Sequence, residues 1–235
     1  PGDDGRGEAL ELTNAHVDAI VVHGDPRVAR LDEQVPWSGG LEIPVFYSGY
    51  VQQEAPRCTP VPGRQGAGPL VVVSVGGGVN GLSLCALVTA GWGRVRRRAS
   101  WSCGQMVVFG GALMTAAELG SAAAACQRHG ARFEPFSSDF PSWLQAADLS
   151  ISRGGYNTMV AVLAARVRSL VLPAADVSDQ AFRVRRLAEL GIVHTADEGR
   201  LDPAGLVARM GAMLGQPPPG HDLDLAGAER TVELL

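Results

Sequence analysis

From Leu70 onward the chain alternates short apolar runs with helical patterns, and few folds admit that alternation. The runs "LVVVSV" (70–75), "MVVFGG" (106–111), "ARFEPF" (131–136), "DLSIS" (148–152), "SLVLP" (169–173) and "IVHTA" (192–196) read as strands. The first is apolar along its length, as expected of a strand covered on both faces of a parallel sheet. Helical patterns fall between them at 115–129, 157–167, 178–190 and 202–214, with Gly130 and Gly191 where helix C-caps belong. Strand–helix repetition of this kind predicts an α/β fold with a doubly wound parallel sheet.

Residues 1–51 read as a different piece, the incomplete end of a preceding domain. The runs "VDAIVVHGDP" and "LEIPVFYSGYV" are strand-like, with a polar, Pro-containing stretch between them. The Pro- and Gly-dense segment 52–69 then reads as a linker, leaving 70–235 as the main domain. No internal repeats occur. The basic run "RVRRR" (94–98) fits either an anion site or a solvated loop.

Composition removes several classes of function. A net charge of -4 and a pI near 5.7 argue against a general nucleic-acid binder. Cys58, Cys85, Cys103 and Cys126 are scattered with no CxxC spacing, which fits buried thiols in a reducing cytosol better than zinc or disulfides. No apolar run reaches the roughly 18 residues that span a bilayer. The start at Pro1, without initiator Met or signal peptide, reads as a processed, truncated or incompletely read chain.

Two strands end in glycine-rich turns. "VVVSVGGGVNG" places Ser74, Gly76, Gly77 and Gly78 at the end of the first, and "SISRGGYNT" places Arg153, Gly154, Gly155, Asn157 and Thr158 after a later one. Glycine outside the carboxyl end of a parallel strand lets the backbone approach a phosphate, and the next helix offers free N–H groups to it. Each turn alone is equally a tight strand-to-helix connection; two on one domain favour a bound diphosphate. The second turn is not GxGxxG, and neither is a Walker A sequence. Asp179 and Gln180 open another helix just beyond a strand end, where a carboxylate and an amide suit either sugar hydroxyls or plain helix capping. His23 precedes the Asp25–Pro26 turn and is a weak candidate general base beside the plainer role of stabilising that turn. Asp148, at the start of a strand, reads as a local cap or partner, and Trp92, Trp101 and Trp143 as packing residues.

The succession "SVGGG", "ADLSISRGGYNT" and "LVLP" followed by "DQAFRVRRLAELG" resembles the C-terminal, nucleotide-sugar-binding half of GT-B glycosyltransferases. It is similar to the lipid II pathway N-acetylglucosaminyltransferases, and to a group of bacterial predicted glycosyltransferases in which "VHGDPR", "YSGYV" and "SRGGYNT" recur. The resemblance covers nearly the whole chain from Val17. It implies a Rossmann-like domain with a remnant of the N-terminal, acceptor-side domain. By that resemblance Ser74 to Gly78 lie near the donor diphosphate, and Arg153 to Thr158 wrap it through backbone N–H groups and the Thr158 hydroxyl. Asp179 and Gln180 hold the donor sugar, and Phe136 lies on the base side.

Two departures stand out. Ala161 occupies the position at which many relatives carry a glutamate that binds the ribose. Loss of such a bidentate contact costs about 1.5–3 kcal/mol, a tenfold or greater loss of affinity. The second Rossmann-like domain, with its acceptor site and catalytic base, is not recognisable in the chain. The resemblance therefore implies the donor-binding half of a cytoplasmic, metal-independent glycosyltransferase taking a nucleotide-sugar, with UDP as the expected carrier and no cofactor. "DLDL" (222–225), the nearest approach to an Asp-x-Asp motif, lies in the tail. The implied partner is an N-terminal domain or separate subunit; no nucleic acid is expected, and membrane association only through that absent domain. The alternatives are a non-catalytic nucleotide-sugar-binding or regulatory protein, or a GT-B-fold hydrolase or epimerase.

Overall fold

The computed structural model describes residues 4–53, 68–77, 81–174 and 178–234. The chain divides into two units, Pro1–Gln53 with Asp222–Leu235, and Glu54–His221. The first begins with α1 (Asp4–His16), β1 (Ile20–Val22), α2 (Leu31–Gln34) and β2 (Val45–Tyr47). β1 and β2 pair in parallel, with Ile20 opposite Val45 and Val22 opposite Tyr47. Side chains hold the connections: the Leu31 N–H donates to the Tyr47 hydroxyl at 2.8 Å, and Asn14 on α1 donates to the Gly40 carbonyl at 3.2 Å.

The second unit contains β3 (Leu70–Ser74), α3 (Gly81–Val95), β4 (Gln105–Phe109), α4 (Ala116–His129), β5 (Arg132–Glu134) and α5 (Phe140–Ala146). It continues with β6 (Leu149–Ser152), α6 (Tyr156–Ala165), β7 (Ser169–Val171), α7 (Ser178–Glu189), β8 (His194–Thr195) and α8 (Pro203–Leu214). The six strands form one sheet in the order β5-β4-β3-β6-β7-β8, with every pairing parallel. Chain order runs outward from β3 in one direction and from β6 in the other, so the sheet is doubly wound and Rossmann-like. Every residue of β3, β6 and β7 is buried; β3 accordingly carries a continuous apolar run, whereas β6 alternates Leu149 and Ile151 with the buried Ser150 and Ser152.

Helix ends follow local chemistry. Thr115 caps α4 in a reciprocal box: its hydroxyl accepts from the Glu118 N–H at 3.3 Å and its own N–H donates to Glu118 at 2.8 Å. These hydrogen bonds, backbone first, hold the Glu118 carboxyl below its ordinary range. Gly130 closes α4 with φ +69°, and Asp202 caps α8 through the Gly205 N–H at 2.7 Å. Asp148 accepts from the Leu70 N–H at 2.8 Å and so joins the starts of two neighbouring strands. Trp92, Trp101 and Trp143 are all buried, and Trp92 meets Trp101 edge-on at 6.0 Å. Cys85, Cys103 and Cys126 are free thiols; a hydrogen bond to Cys85 and burial push the Cys126 thiol up.

The tail corrects the expected C-terminal boundary. α9 (Gly227–Leu234) and the residues before it group with the first unit rather than with the sheet domain read as 70–235. The Tyr50 N–H donates to the Asp224 carbonyl at 2.8 Å, the Gly227 N–H donates to the Tyr50 carbonyl at 3.0 Å, and Val51 bridges Ala226. Gly49 adopts φ +84° there, and a Cβ on it would stand 2.9 Å from the Asp224 oxygen. Most of the expected linker, 54–67, lies outside the described residues. Among the described residues no helix is long and apolar enough to cross a membrane.

Candidate functional site

The order of strands reverses between β3 and β6, and the two glycine turns leave the carboxyl ends of these two adjacent strands. Open parallel sheets bind ligands in the crevice at such a switch point. The turns are joined directly: the Arg153 N–H donates to the Ser74 carbonyl at 3.2 Å. The buried Ser74 hydroxyl accepts from the Gly76 N–H at 3.2 Å, which tightens the first turn.

The glycines divide by role. Gly76 has φ +66°, a backbone conformation that L side chains resist. Gly77 has an ordinary φ, and a Cβ there would touch Leu113 at 3.5 Å. A Cβ on Gly154 would meet Val184 Cγ2 at 2.7 Å, so this glycine exists because α7 packs directly on it. A Cβ on Gly155 would meet nothing within 4 Å. Gly78 lies outside the described residues.

Gly155 is the N-cap of α6 and supplies no side-chain acceptor to the first turn, in contrast to Thr115 on α4 and Asp202 on α8. The start of α6 therefore presents N–H groups and a positive dipole end toward any anion placed there. Asn157 is exposed on that first turn and Thr158 is buried. Ala161 is half-buried and lies one turn further on, three and four residues from Thr158 and Asn157, on the same side of the helix.

The Arg153 side chain turns inward. It is 3% exposed and pairs with Glu198, so its guanidinium is not presented at the surface of the turn. Asp179 is exposed and pairs with Arg183 at 3.1 Å, one helical turn on. Arg183 also donates to the Gly154 carbonyl at 3.3 Å and lies 5.7 Å over the Tyr156 ring, which draws α7 onto the start of α6. The Gln180 Oε1 atom is buried without a partner among the described residues. Phe136 follows β5 and is 72% exposed, and Leu113 follows β4 and is 71% exposed. Both belong to loops at the carboxyl edge of the sheet and give it an apolar element.

His23 lies in the first unit. Its Nδ1 atom is 2.9 Å from the buried Ser48 hydroxyl. The nearby Asp25 carboxylate serves Arg27, which also pairs with Asp222 at 2.8 Å. Burial works to raise the Asp25 carboxyl, but the hydrogen bonds and charge of Arg27 outweigh it and hold the group below its ordinary range. Among the described residues no group of three His, Cys, Asp or Glu side chains is placed to hold a metal ion. Arg183, Glu198 and Leu113 were not singled out by sequence. Of these only Arg183 carried a local signal, the four-residue spacing from Asp179 on one helix.

Comparison with known proteins agrees with this architecture. Residues 116–218 match the family model of the glycosyltransferase family 28 C-terminal domain. No curated protein matches the chain by sequence. Among solved structures it is similar to Acinetobacter baumannii MurG, with 18% identity, TM-score 0.54, and 90% of this chain aligned to 68% of that one. It is also similar to the glycotransferase of kitacinnamycin, with 18% identity, TM-score 0.59, and 92% of this chain aligned to 49% of that one. A third is a candidate UDP-N-acetylglucosamine 2-epimerase from Listeria monocytogenes, with 14% identity, TM-score 0.58, and coverages of 97% and 76%. The chain thus spans from about half to three quarters of these proteins. Residues 116–218 are thus similar to a glycosyltransferase family 28 C-terminal domain, and the chain shares the fold of these solved structures.

Proposed function

We infer that the chain is the donor-binding half of a metal-independent glycosyltransferase that takes a nucleotide-sugar, with UDP as the carrier. The observation that carries this reading is the pair of glycine turns on β3 and β6, flanking the switch point beside an uncapped α6. The N–H groups of Gly155 to Thr158 and the Thr158 hydroxyl hold the diphosphate. They stabilise its departing charge without a metal, because fixed N–H dipoles need no reorganisation during transfer. Gln180, whose Oε1 has no donor among the described residues, and Asp179 take the sugar hydroxyls. Phe136 and Ala161 lie on the base and ribose side. The acceptor site and the catalytic base belong to a second domain, in the same polypeptide or in a partner subunit, and the protein works in the cytoplasm without a cofactor. The kitacinnamycin glycotransferase and the spinosyn forosaminyltransferase SpnP are transferases by name, which supports a transfer reaction for the whole protein.

A second reading, a binding or regulatory protein without turnover, is favoured by Ala161, which offers the ribose no acceptor. Calorimetric titration with UDP, GDP, dTDP and their sugars tests the shared core of both readings. One uridine donor should bind with a measurable heat. A folded chain that binds none of these ligands contradicts the assignment. Sugar transfer by the chain together with its second domain then separates enzyme from binding protein.

A further inference from the structure

Arg153 is the most heavily engaged side chain at the carboxyl edge of the sheet, and it does not face the edge. Its Nη1 atom donates to the Leu172 carbonyl at 3.1 Å, directly after β7, and also pairs with Glu198 in the turn that follows β8. Its Nη2 atom donates to the Ser83 hydroxyl at 3.1 Å, in the first turn of α3. Its backbone N–H donates to the Ser74 carbonyl, and its Cβ stands 3.5 Å from where a Cβ on Gly76 would be. One buried guanidinium therefore touches the connections that follow β3, β7 and β8, while its own backbone begins the connection that follows β6. A planar five-donor fork suits such a junction, since its partners are divided between two nitrogens held apart, whereas a lysine ammonium donates from a single nitrogen.

We propose that Arg153 and Glu198 are positioning residues for the donor site. Glu198 neutralises and orients the buried guanidinium, and the guanidinium sets the spacing of the glycine turns and the β7–α7 connection around the bound diphosphate. Glu198 lies 45 residues beyond Arg153 in the chain and pairs with its guanidinium. The side-chain charge of Arg153 is spent on Glu198, and its influence on the ligand passes through the backbone of Gly154 and Gly155. The effect on binding rests on the donor-binding reading given above; the effect on the loop does not.

The test is the double variant Arg153→Met with Glu198→Leu, which removes both charges together and leaves no unpaired buried ion. Two quantities are measured on the full chain: UDP affinity, and amide hydrogen exchange across Gly154–Thr158 with β3 as internal reference. The expected result is a folded protein in which exchange in that segment accelerates about tenfold while β3 is unchanged, and UDP affinity falls by about 10²-fold, as misplaced contacts predict. A folded double variant with wild-type exchange and wild-type affinity overturns the proposal. If the double variant does not fold, Arg153→Lys decides, because it keeps the ion pair and loses the fork. Faster exchange in the segment supports positioning, and wild-type exchange overturns it. If wild-type protein fails to bind UDP, the donor reading falls, and exchange alone still decides whether the pair positions the loop.

Discussion

The β3–α3 and β6–α6 turns sit side by side and each contains adjacent glycines, yet among the described residues the fold demands one glycine in each, for different reasons. Gly76 is demanded by its backbone, at φ +66°. Gly154 is demanded by packing, since Val184 leaves no room for a Cβ. Their neighbours, Gly77 and Gly155, have no such obligation. A glycine that the fold does not need, at the mouth of an uncapped helix, is best explained by something approaching its backbone. The difference between obligatory and unobligated glycine thus separates what this edge owes to folding from what it would owe to the proposed donor.

Four substitutions can break or sharpen that distinction. Gly154→Ala should have the largest effect, destabilising the chain by about 1–3 kcal/mol as α7 is pushed off its seat. An unchanged denaturation midpoint in urea would remove the packing explanation. Gly76→Ala should cost about 1–2 kcal/mol, the ordinary penalty for a left-handed L residue, and the same unfolding experiment reads it. Ala161→Glu adds a ribose acceptor to α6 and should tighten UDP binding about tenfold. Calorimetry showing no change would mean that Ala161 does not face the ribose. Gly155→Ala should leave stability within about 0.5 kcal/mol while weakening UDP binding. A stability loss as large as that of Gly154→Ala would erase the difference between the two positions.

β3 was legible because a doubly covered strand can be apolar along its length, a pattern carried entirely by the local sequence. The edge strands came out shorter than expected, β5 at Arg132–Glu134 and β8 at His194–Thr195, because each pairs on one side only and Pro135 cannot donate to a ladder. Helix ends were legible wherever a residue acts locally, as Thr115, Asp202 and Gly130 do. The seat of α9 was not, since its partners are backbone groups of Tyr50 and Val51 that carry no side-chain signal. At the site the glycine turns themselves could be found in sequence, but the division of labour within them could not. Gly154 answers to Val184, thirty residues on, and Arg153 answers to Glu198. "SRGG" reads as a backbone cradle for a diphosphate in one dimension. In three, its arginine is internal and its second glycine is the open one.

The most direct test of the central assignment follows backbone amides of isotope-labelled chain by NMR as UDP is added. The account predicts that the largest shifts fall on Gly155 to Thr158, with smaller ones at Gly76 and Gly77, and that Gly155→Ala shrinks them. A folded chain whose amides at these positions do not move up to millimolar UDP, or whose shifts fall elsewhere, would contradict it.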